Sequence, residues 1–270
     1  MNSVNERKLM EAIRDANYHR EGGICCLRLF QLEPDFFRDL QRDVRRLCVT
    51  GHASNVRDPR HITNWTRPAG DVSQYSLLNA TGRYDDFSSD HNLSCFGKRF
   101  HEANLYPMLA YFIAGFPHAV NFRINVLGHD AALSPHEEHA IVHTSQDKVG
   151  IRPRFHLPIE TNPGAELVLD GDVYQLEAGT VYFVNHGCVH SARNRGDQPR
   201  IHLVWDLLLT REAYDLMFGD NAEIPFPARR VMPAERDPHP QRTERVGYAR
   251  CIPEPVTENE AHTLTFFEIQ

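Results

Sequence analysis

The stretch Leu167-Val168-Leu169-Asp170-Gly171-Asp172-Val173-Tyr174 contains two short apolar segments separated by an Asp-Gly pair. Both central positions of a two-residue hairpin turn need positive φ, which Asp and Gly adopt more readily than most residues. The stretch therefore predicts two antiparallel strands joined by a tight turn.

Alternation of apolar and polar residues with a period of two continues on both sides of this hairpin. The predicted strands are 120–127, 153–160, 165–170, 172–176, 179–185, 188–194 and 200–209. Many short strands separated by turn signals are typical of a sandwich or a barrel. The central part of the chain is therefore predicted to be mainly β.

Helices are expected outside this β region. Apolar residues at helical spacing predict helices over 5–18, from Pro34 onward and over 98–115. Residues 50–97 are polar and are expected to form loops that contact a substrate. We expect one catalytic domain over 1–270, with helices and loops in 1–119, the β core in 120–210, and a C-terminal helix and extended tail in 211–270.

Composition limits the partners that the chain can have. A net charge of -7 over 270 residues argues against binding to nucleic acid. The sequence has no run of eighteen apolar residues, and its start is too polar for a secretion signal. We therefore expect a cytoplasmic protein that acts on a small molecule, with no membrane partner, and leave a homodimer open.

Histidines are concentrated in the predicted strands. Eight of the sixteen lie between 129 and 202. His136 and Glu138 are two residues apart, so on a strand their side chains would share a face. A hairpin over 188–209 that turns near residue 195 would place His190 opposite Arg200.

Two imidazoles and one carboxylate are the ligand set of a mononuclear non-haem iron(II) site. His136, Glu138 and His190 are therefore the candidate ligands and catalytic centre. The planar, permanently charged fork of Arg200 suits the far carboxylate of an oxoacid such as 2-oxoglutarate.

Two other metal sites remain open at this point. His156 and His190 could bind a metal without Glu138, although Pro158 leaves no carboxylate two residues after His156. His139 and His143 are four residues apart and could bind zinc on a helix.

Five stretches resemble the aspartyl/asparaginyl β-hydroxylases, a family that includes the bacterial free-proline hydroxylases. The resemblance covers roughly residues 120–210. The stretches are Pro135-His136-Glu137-Glu138, Arg154-Phe155-His156-Leu157-Pro158, Ala178-Gly179-Thr180-Val181-Tyr182-Phe183, Val189-His190-Ser191-Ala192 and Arg200-Ile201-His202-Leu203-Val204-Trp205-Asp206.

The resemblance implies a double-stranded β-helix, the cupin-like jelly-roll fold, with flanking N-terminal helices. It assigns iron(II) to His136 and His190, and 2-oxoglutarate to Arg200 and His156. It also places Arg154 near a substrate or cosubstrate carboxylate. The proline hydroxylases carry aspartate, and the animal members glycine, where this chain has Glu138, so either Glu138 or water completes the iron site.

The activity implied is hydroxylation of an unactivated C–H bond with oxygen and 2-oxoglutarate, releasing succinate and carbon dioxide. The helical repeats of the peptide-modifying animal enzymes are missing from this sequence, which favours a free amino acid, either cyclic, such as proline or pipecolate, or acidic. Asn79, Arg123 and Trp65 are candidate substrate contacts. The alternatives are hydroxylation of a peptidyl side chain or a lipid acyl chain, or a cupin-like metal-binding module without turnover.

Overall fold

The computed structural model describes Leu9 and residues 24–55, 68–92, 94–138, 141–143 and 149–247. The helix predicted over 5–18 lies outside the described residues apart from Leu9, which is helical and buried. No helix in the described ranges is long and apolar enough to cross a membrane.

Strands account for more of the described residues than helices do. The helices are α1 (Pro34–Thr50), α2 (Phe87–Asp90), α3 (Pro107–Ala114) and α4 (Arg211–Phe218), with a 3-10 turn at Pro233–Glu235. The first eight strands are β1 (Cys26–Leu32), β2 (Ser54–Asn55), β3 (Pro68–Ala69), β4 (Val72–Ser76), β5 (Ala119–Leu127), β6 (Ala131–His136), β7 (Ile141–His143) and β8 (Val149–Ile151). The remaining strands are β9 (Arg154–Glu160), β10 (Ala165–Leu169), β11 (Asp172–Tyr174), β12 (Thr180–Val184), β13 (His190–Asn194), β14 (Arg200–Leu207), β15 (Ala228–Arg230) and β16 (Arg242–Thr243).

Two antiparallel sheets make up the core. The larger sheet has the order β15-β1-β12-β9-β14-β5-β4-β2, and the smaller sheet has the order β16-β11-β10-β13-β6-β3. Apolar side chains from both sheets, including Tyr182 and Leu169, pack in one cluster between them. The fold is therefore mainly β and of the jelly-roll type, as predicted.

The two faces of the larger sheet differ in polarity. Phe122 on β5 and Trp205 on β14 stack with ring centroids 5.0 Å apart, on the face that α3 covers through Phe112. The opposite face carries Arg123 on β5 and His156 on β9, both paired in register with the same β14 residue. Because residues alternate along a strand, one apolar face packs on the helices while the other brings polar groups between the sheets.

The sequence located most of the central strands to within two residues. The hairpin at Asp170-Gly171 is confirmed, since β10 pairs with β11 and the two turn residues have φ of 50° and 94°. The helix that begins at Pro34 is also confirmed. The helix predicted over 98–115 is shorter and begins at Pro107, because proline suits the first helical position and disfavours helix in the residue before it.

The hairpin predicted over 188–209 is wrong. β13 pairs with β10 and β6 in the smaller sheet, whereas β14 pairs with β5 and β9 in the larger one. Residues 195–199 carry the chain from one sheet to the other. The Asn194 amide holds this corner by donating to the backbone carbonyl oxygens of Leu127, Gly128 and Gln198. His190 and Arg200 therefore come from different sheets and are not neighbours on one hairpin.

Candidate metal centre

A cavity between the two sheets collects most of the polar residues singled out above. It contains about 700 Å³ of empty space, counting its mouth. The lining residues with ionisable side chains are Arg123, His136, Glu138, Arg154, His156, His190 and Arg200. His190 and Arg200 thus face the same cavity even though their strands do not pair.

His136, Glu138 and His190 form a compact cluster at this cavity. His136 ends β6 and pairs in register with His190 on β13, with ring centroids 4.2 Å apart. Glu138 lies two residues beyond the end of β6, where its backbone N–H donates to the carbonyl oxygen of His186 at 3.1 Å. One potential ligand atom from each of the three lies within 4.8 Å of the others.

Backbone carbonyls fix the tautomers of both histidines. Nδ1 of His136 lies 2.8 Å from the carbonyl oxygen of Ser134, and Nδ1 of His190 lies 2.8 Å from that of Cys188. A carbonyl oxygen only accepts, so each Nδ1 carries the proton and each Nε2 keeps its lone pair. Burial lowers the pKa of both imidazoles, most strongly for His190, so both are neutral at neutral pH and able to ligate a cation.

Glu138 supplies the negative charge of the cluster. Its Oε1 lies 3.8 Å from Nε2 of His136, and its Oε2 lies 2.7 Å from Nη2 of Arg154. Burial alone would raise the pKa of this carboxyl group, but Arg154 and the neighbouring histidines hold it well below its usual range. Glu138 is therefore a carboxylate at neutral pH.

Arg154 contacts two protein carboxylates. Besides Glu138, it binds Asp206 through two parallel hydrogen bonds, Nε to Oδ1 at 2.8 Å and Nη2 to Oδ2 at 3.1 Å. This is the bidentate geometry that fixes a guanidinium most firmly. The predicted role of Arg154 beside a substrate or cosubstrate carboxylate stays a prediction, because these contacts are with the protein.

Arg200 is a buried cation without a protein counter-ion among the residues that the structure describes. It is 3% exposed, and its Nη2 has no hydrogen-bond partner there. Burial lowers its pKa to about 9, with no carboxylate to offset the loss of water. An uncompensated buried charge is costly, which makes Arg200 a ready binding site for an anion.

Two polar residues lie close to Arg200 in the sheet. Asn125 on β5 pairs in register with His202, two residues after Arg200, and its Oδ1 is buried without a partner in the described part of the chain. His156 has its Nδ1 3.4 Å from that of His202, and burial together with the nearby Arg200 and Arg154 charges lowers its pKa well below the usual value. His156 is therefore neutral and beside the anion-binding end of the cavity.

The three predicted substrate contacts have different positions. Arg123 lines the cavity, where its Nε donates to Oδ2 of the buried Asp90 at 2.6 Å. The structure does not bring Asn79 to the lining; its amide donates to the carbonyl oxygens of Ser76 and Arg83 and so holds a turn. Trp65 lies outside the described residues, as do the side chains of the alternative pair at 139 and 143.

The site also contains Asn125 and Asp206, which are not among the site residues predicted from the sequence. Asn121, Arg123 and Asn125 alternate with apolar residues on β5, so three polar side chains share one face of a central strand. That pattern could have indicated an interior polar surface. Asp206 ends the quoted stretch from Arg200, but its partner Arg154 lies on another strand.

Residues 90–209 match the sequence profile of the family described as Aspartyl/Asparaginyl beta-hydroxylase. The predicted family resemblance is confirmed. The matched segment contains β5 to β14, and with them the metal cluster and Arg200. The enzyme class is confirmed with it: an iron(II)- and 2-oxoglutarate-dependent hydroxylase, which uses iron(II), 2-oxoglutarate and oxygen.

Several solved structures show a distant likeness to this chain. A prolyl-4-hydroxylase from Pseudomonas putida has 15% identity and a TM-score of 0.38, over 74% of this chain and 98% of that one. The epimerase SnoN, in complex with Fe3+, alpha ketoglutarate and nogalamycin RO, has 15% identity and a TM-score of 0.43, over 84% and 97%. A predicted oxalate decarboxylase from Thermotoga maritima has 16% identity and a TM-score of 0.35, over 60% and 96%. No curated protein sequence matches this chain.

Proposed function

We propose that the chain hydroxylates an unactivated C–H bond of a free amino acid, with His136, Glu138 and His190 holding iron(II) and Arg200 holding 2-oxoglutarate. The observation that carries the proposal is that a metal-ligand cluster and an unpaired buried guanidinium face one cavity. Arg200 has no counter-ion among the described residues, and the cluster offers two neutral imidazoles and one carboxylate, so the two together fit a dianionic oxoacid and a metal.

The cluster fits a divalent cation. Two neutral Nε2 atoms and one carboxylate oxygen carry a single negative charge, and they lie within 4.8 Å of one another. Metal–ligand bonds of roughly 2.1 Å bring neighbouring ligand atoms to about 3 Å, so a small closing movement of the side chains completes the site. Bound iron(II) and 2-oxoglutarate supply the oxidation in which R–H, O₂ and 2-oxoglutarate give R–OH, succinate and carbon dioxide.

Arg200 would orient the cosubstrate. Its guanidinium donates two parallel hydrogen bonds to a carboxylate, and the cavity excludes the water that would weaken them. Asn125 lies beside it with an amide that can donate to the same carboxylate. The neutral His156 adds a ring N–H without adding charge. Together these groups would fix the oxoacid while the metal ligands hold its other end.

The cavity lining supports a small polar substrate. Gln74, Asn121 and Asn125 contribute amides, and Arg123 contributes a guanidinium, whereas the apolar lining is confined to four aliphatic side chains. An acyl chain would need a longer apolar channel to offset its loss of contacts with other lipid. Arg123 is the proposed anchor for the carboxylate of a free amino acid.

A substrate panel tests the proposal. Iron-loaded protein is incubated with 2-oxoglutarate, oxygen and either free cyclic and acidic amino acids, peptides containing the same residues, or acyl lipids. We expect succinate to form together with a free amino acid that has gained one oxygen atom. Products from peptides or acyl lipids alone would overturn the assignment of the substrate.

The variant Arg200→Ala tests the role of Arg200. It should require a far higher concentration of 2-oxoglutarate for the same rate of succinate release. An unchanged requirement would overturn the assignment of Arg200. A protein that binds metal and 2-oxoglutarate but releases no succinate with any substrate would instead be a metal-binding module.

A further inference from the structure

Glu138 is placed to bind two partners at once. Its Oε2 accepts from Arg154 at 2.7 Å, while its Oε1 points toward Nε2 of His136 at 3.8 Å. The side chain of Glu138 is 21% exposed, so it has room to rotate out of the cluster. Its position inside the cluster therefore depends on what holds Oε2.

Arg154 is itself held in place by Asp206. Asp206 is fully buried and takes two hydrogen bonds from Arg154, one from Arg152 at 2.8 Å and one from the Asn121 amide at 2.8 Å. The backbone N–H of Asp206 also donates to the Asn121 amide oxygen. With this many partners Asp206 has one orientation, and it passes that orientation to Arg154.

We propose that Arg154, anchored by Asp206, is a positioning residue that fixes Glu138 as a metal ligand through Oε1 alone. This inference rests on the proposed iron site. It gives Arg154 a role toward the metal carboxylate and leaves substrate and cosubstrate carboxylates to Arg123 and Arg200. It also answers which group completes the site: Glu138, and not water.

The length of the Glu138 side chain matters for this positioning. A carboxylate that reaches both the metal and Arg154 needs one oxygen directed at each, and glutamate has one more methylene than aspartate with which to span them. The Arg154 contact also removes rotamer freedom that glutamate would otherwise lose on binding the metal. An aspartate at this position could reach one partner but not both.

If Arg154 acted in the opposite way, the metal affinity would change in the opposite direction. If Arg154 drew Glu138 away from the metal, removing Arg154 would free the carboxylate and strengthen metal binding. The sign of the change in metal affinity therefore decides between positioning and withdrawal.

The test is a titration of metal-free full-length protein with Co(II), without 2-oxoglutarate or substrate, following the visible Co(II) absorption. We expect Arg154→Gln to lower the Co(II) affinity 10- to 100-fold, the range usual for losing a group that orients a ligand. Its Co(II) spectrum should become that of the Glu138→Gln variant, because in both variants the metal has lost a carboxylate ligand. The control Arg42→Gln removes an exposed guanidinium on α1 that pairs with Asp39, outside the cavity, and should leave the affinity within about 3-fold.

If Arg154→Gln does not fold, Arg154→Lys keeps the proposal testable: it retains a positive charge beside Asp206 but not the two parallel hydrogen bonds, and it should also lower the Co(II) affinity, whereas unchanged or tighter binding would overturn the positioning role. If Arg154→Gln folds, two further variants test the coupling between Arg154 and Glu138. Glu138→Asp should lower the affinity by a similar factor, and the Glu138→Asp/Arg154→Gln double variant should bind no more weakly than Glu138→Asp. Unchanged or tighter Co(II) binding by Arg154→Gln, or additive losses in the double variant, would overturn the positioning role. Loss of binding in His136→Ala shows that the metal site itself stands, whereas unchanged binding in that variant would remove both this inference and the proposed function.

Discussion

Replacing Arg200 by methionine should stabilise the ligand-free protein while abolishing its response to 2-oxoglutarate. Methionine keeps the unbranched apolar part of the side chain and removes the guanidinium with its charge. The fall of the Arg200 pKa from its usual value to about 9 corresponds to a folding cost of about 5 kcal/mol, at about 1.4 kcal/mol per pKa unit. Water penetration and local relaxation reduce such penalties, so we expect a gain on the order of 2–5 kcal/mol.

Thermal unfolding measures both effects. In a chain of this size each kcal/mol moves Tm by about 2–4 °C, so the Tm of Arg200→Met should rise by at least about 4 °C without ligand. The metal-loaded parent protein should gain about 2.7 kcal/mol when 2-oxoglutarate is at one hundred times its Kd, and the variant should gain almost nothing. The two curves should therefore converge as cosubstrate is added.

Arg123→Met is the matched control, because its guanidinium lines the same cavity but is paired with the buried Asp90. Removing it takes the guanidinium partner from the buried Asp90, so we expect a loss of about 3–5 kcal/mol instead of a gain. A lower Tm for Arg200→Met, or a preserved shift with 2-oxoglutarate, would refute the reasoning that Arg200 is an unpaired charge awaiting an anion.

The buried guanidinium of Arg200 also predicts that stability and 2-oxoglutarate binding depend on pH. The folded-state pKa of Arg200 lies below its unfolded value, so burial destabilises the protein fully below about pH 9 and less as pH rises above that value. Affinity for 2-oxoglutarate should be highest below about pH 9 and fall above it, because a neutral guanidine holds a carboxylate weakly. The Kd measured between pH 7 and pH 10 checks this direction.

Three further predictions concern the metal and the fold. His136→Ala should weaken Mn(II) binding by on the order of 100-fold, measured by titration, whereas His129→Ala at an exposed position should leave it unchanged. Gly171→Ala should cost on the order of 1–3 kcal/mol in urea unfolding, because φ is 94° and the new Cβ would lie 2.3 Å from the backbone oxygen of Glu244; an unaltered midpoint would contradict the strain. Trp205→Ala should cost about 3–5 kcal/mol in the same assay, and a loss below about 1 kcal/mol would mean that the aromatic cluster is not a close-packed core.

The strands could be predicted because their signals are local. Alternation along 120–127 and 200–209, and the turn at Asp170-Gly171, depend on residues next to one another in sequence. Which strand pairs with which does not depend on residues that are next to one another in sequence. A short gap after Asn194 suggested a hairpin, but the Asn194 amide binds the Leu127 carbonyl of a distant strand and turns the chain into the other sheet.

The metal cluster could also be predicted because its signal is largely local in the sequence. His136 and Glu138 are close in the chain, and one more histidine completes the set. The ion pairs around the cluster could not be predicted, because Arg154 and Asp206 meet only through the register of β9 with β14. Register between strands far apart in sequence is set by the whole sheet, which no single stretch of sequence specifies.

The cavity arginines differ in whether the protein already provides each of them with a carboxylate partner. Arg123 and Arg154 each have a buried carboxylate partner, Asp90 and Asp206, so neither leaves a charge to be compensated. Arg200 has none among the described residues, and burial costs it most of its preference for the charged form. Because buried ions are normally paired, the one that lacks a partner is where an anionic ligand gains the most free energy. The missing counter-ion, more than the presence of arginine, therefore identifies the end of the cavity that would bind 2-oxoglutarate.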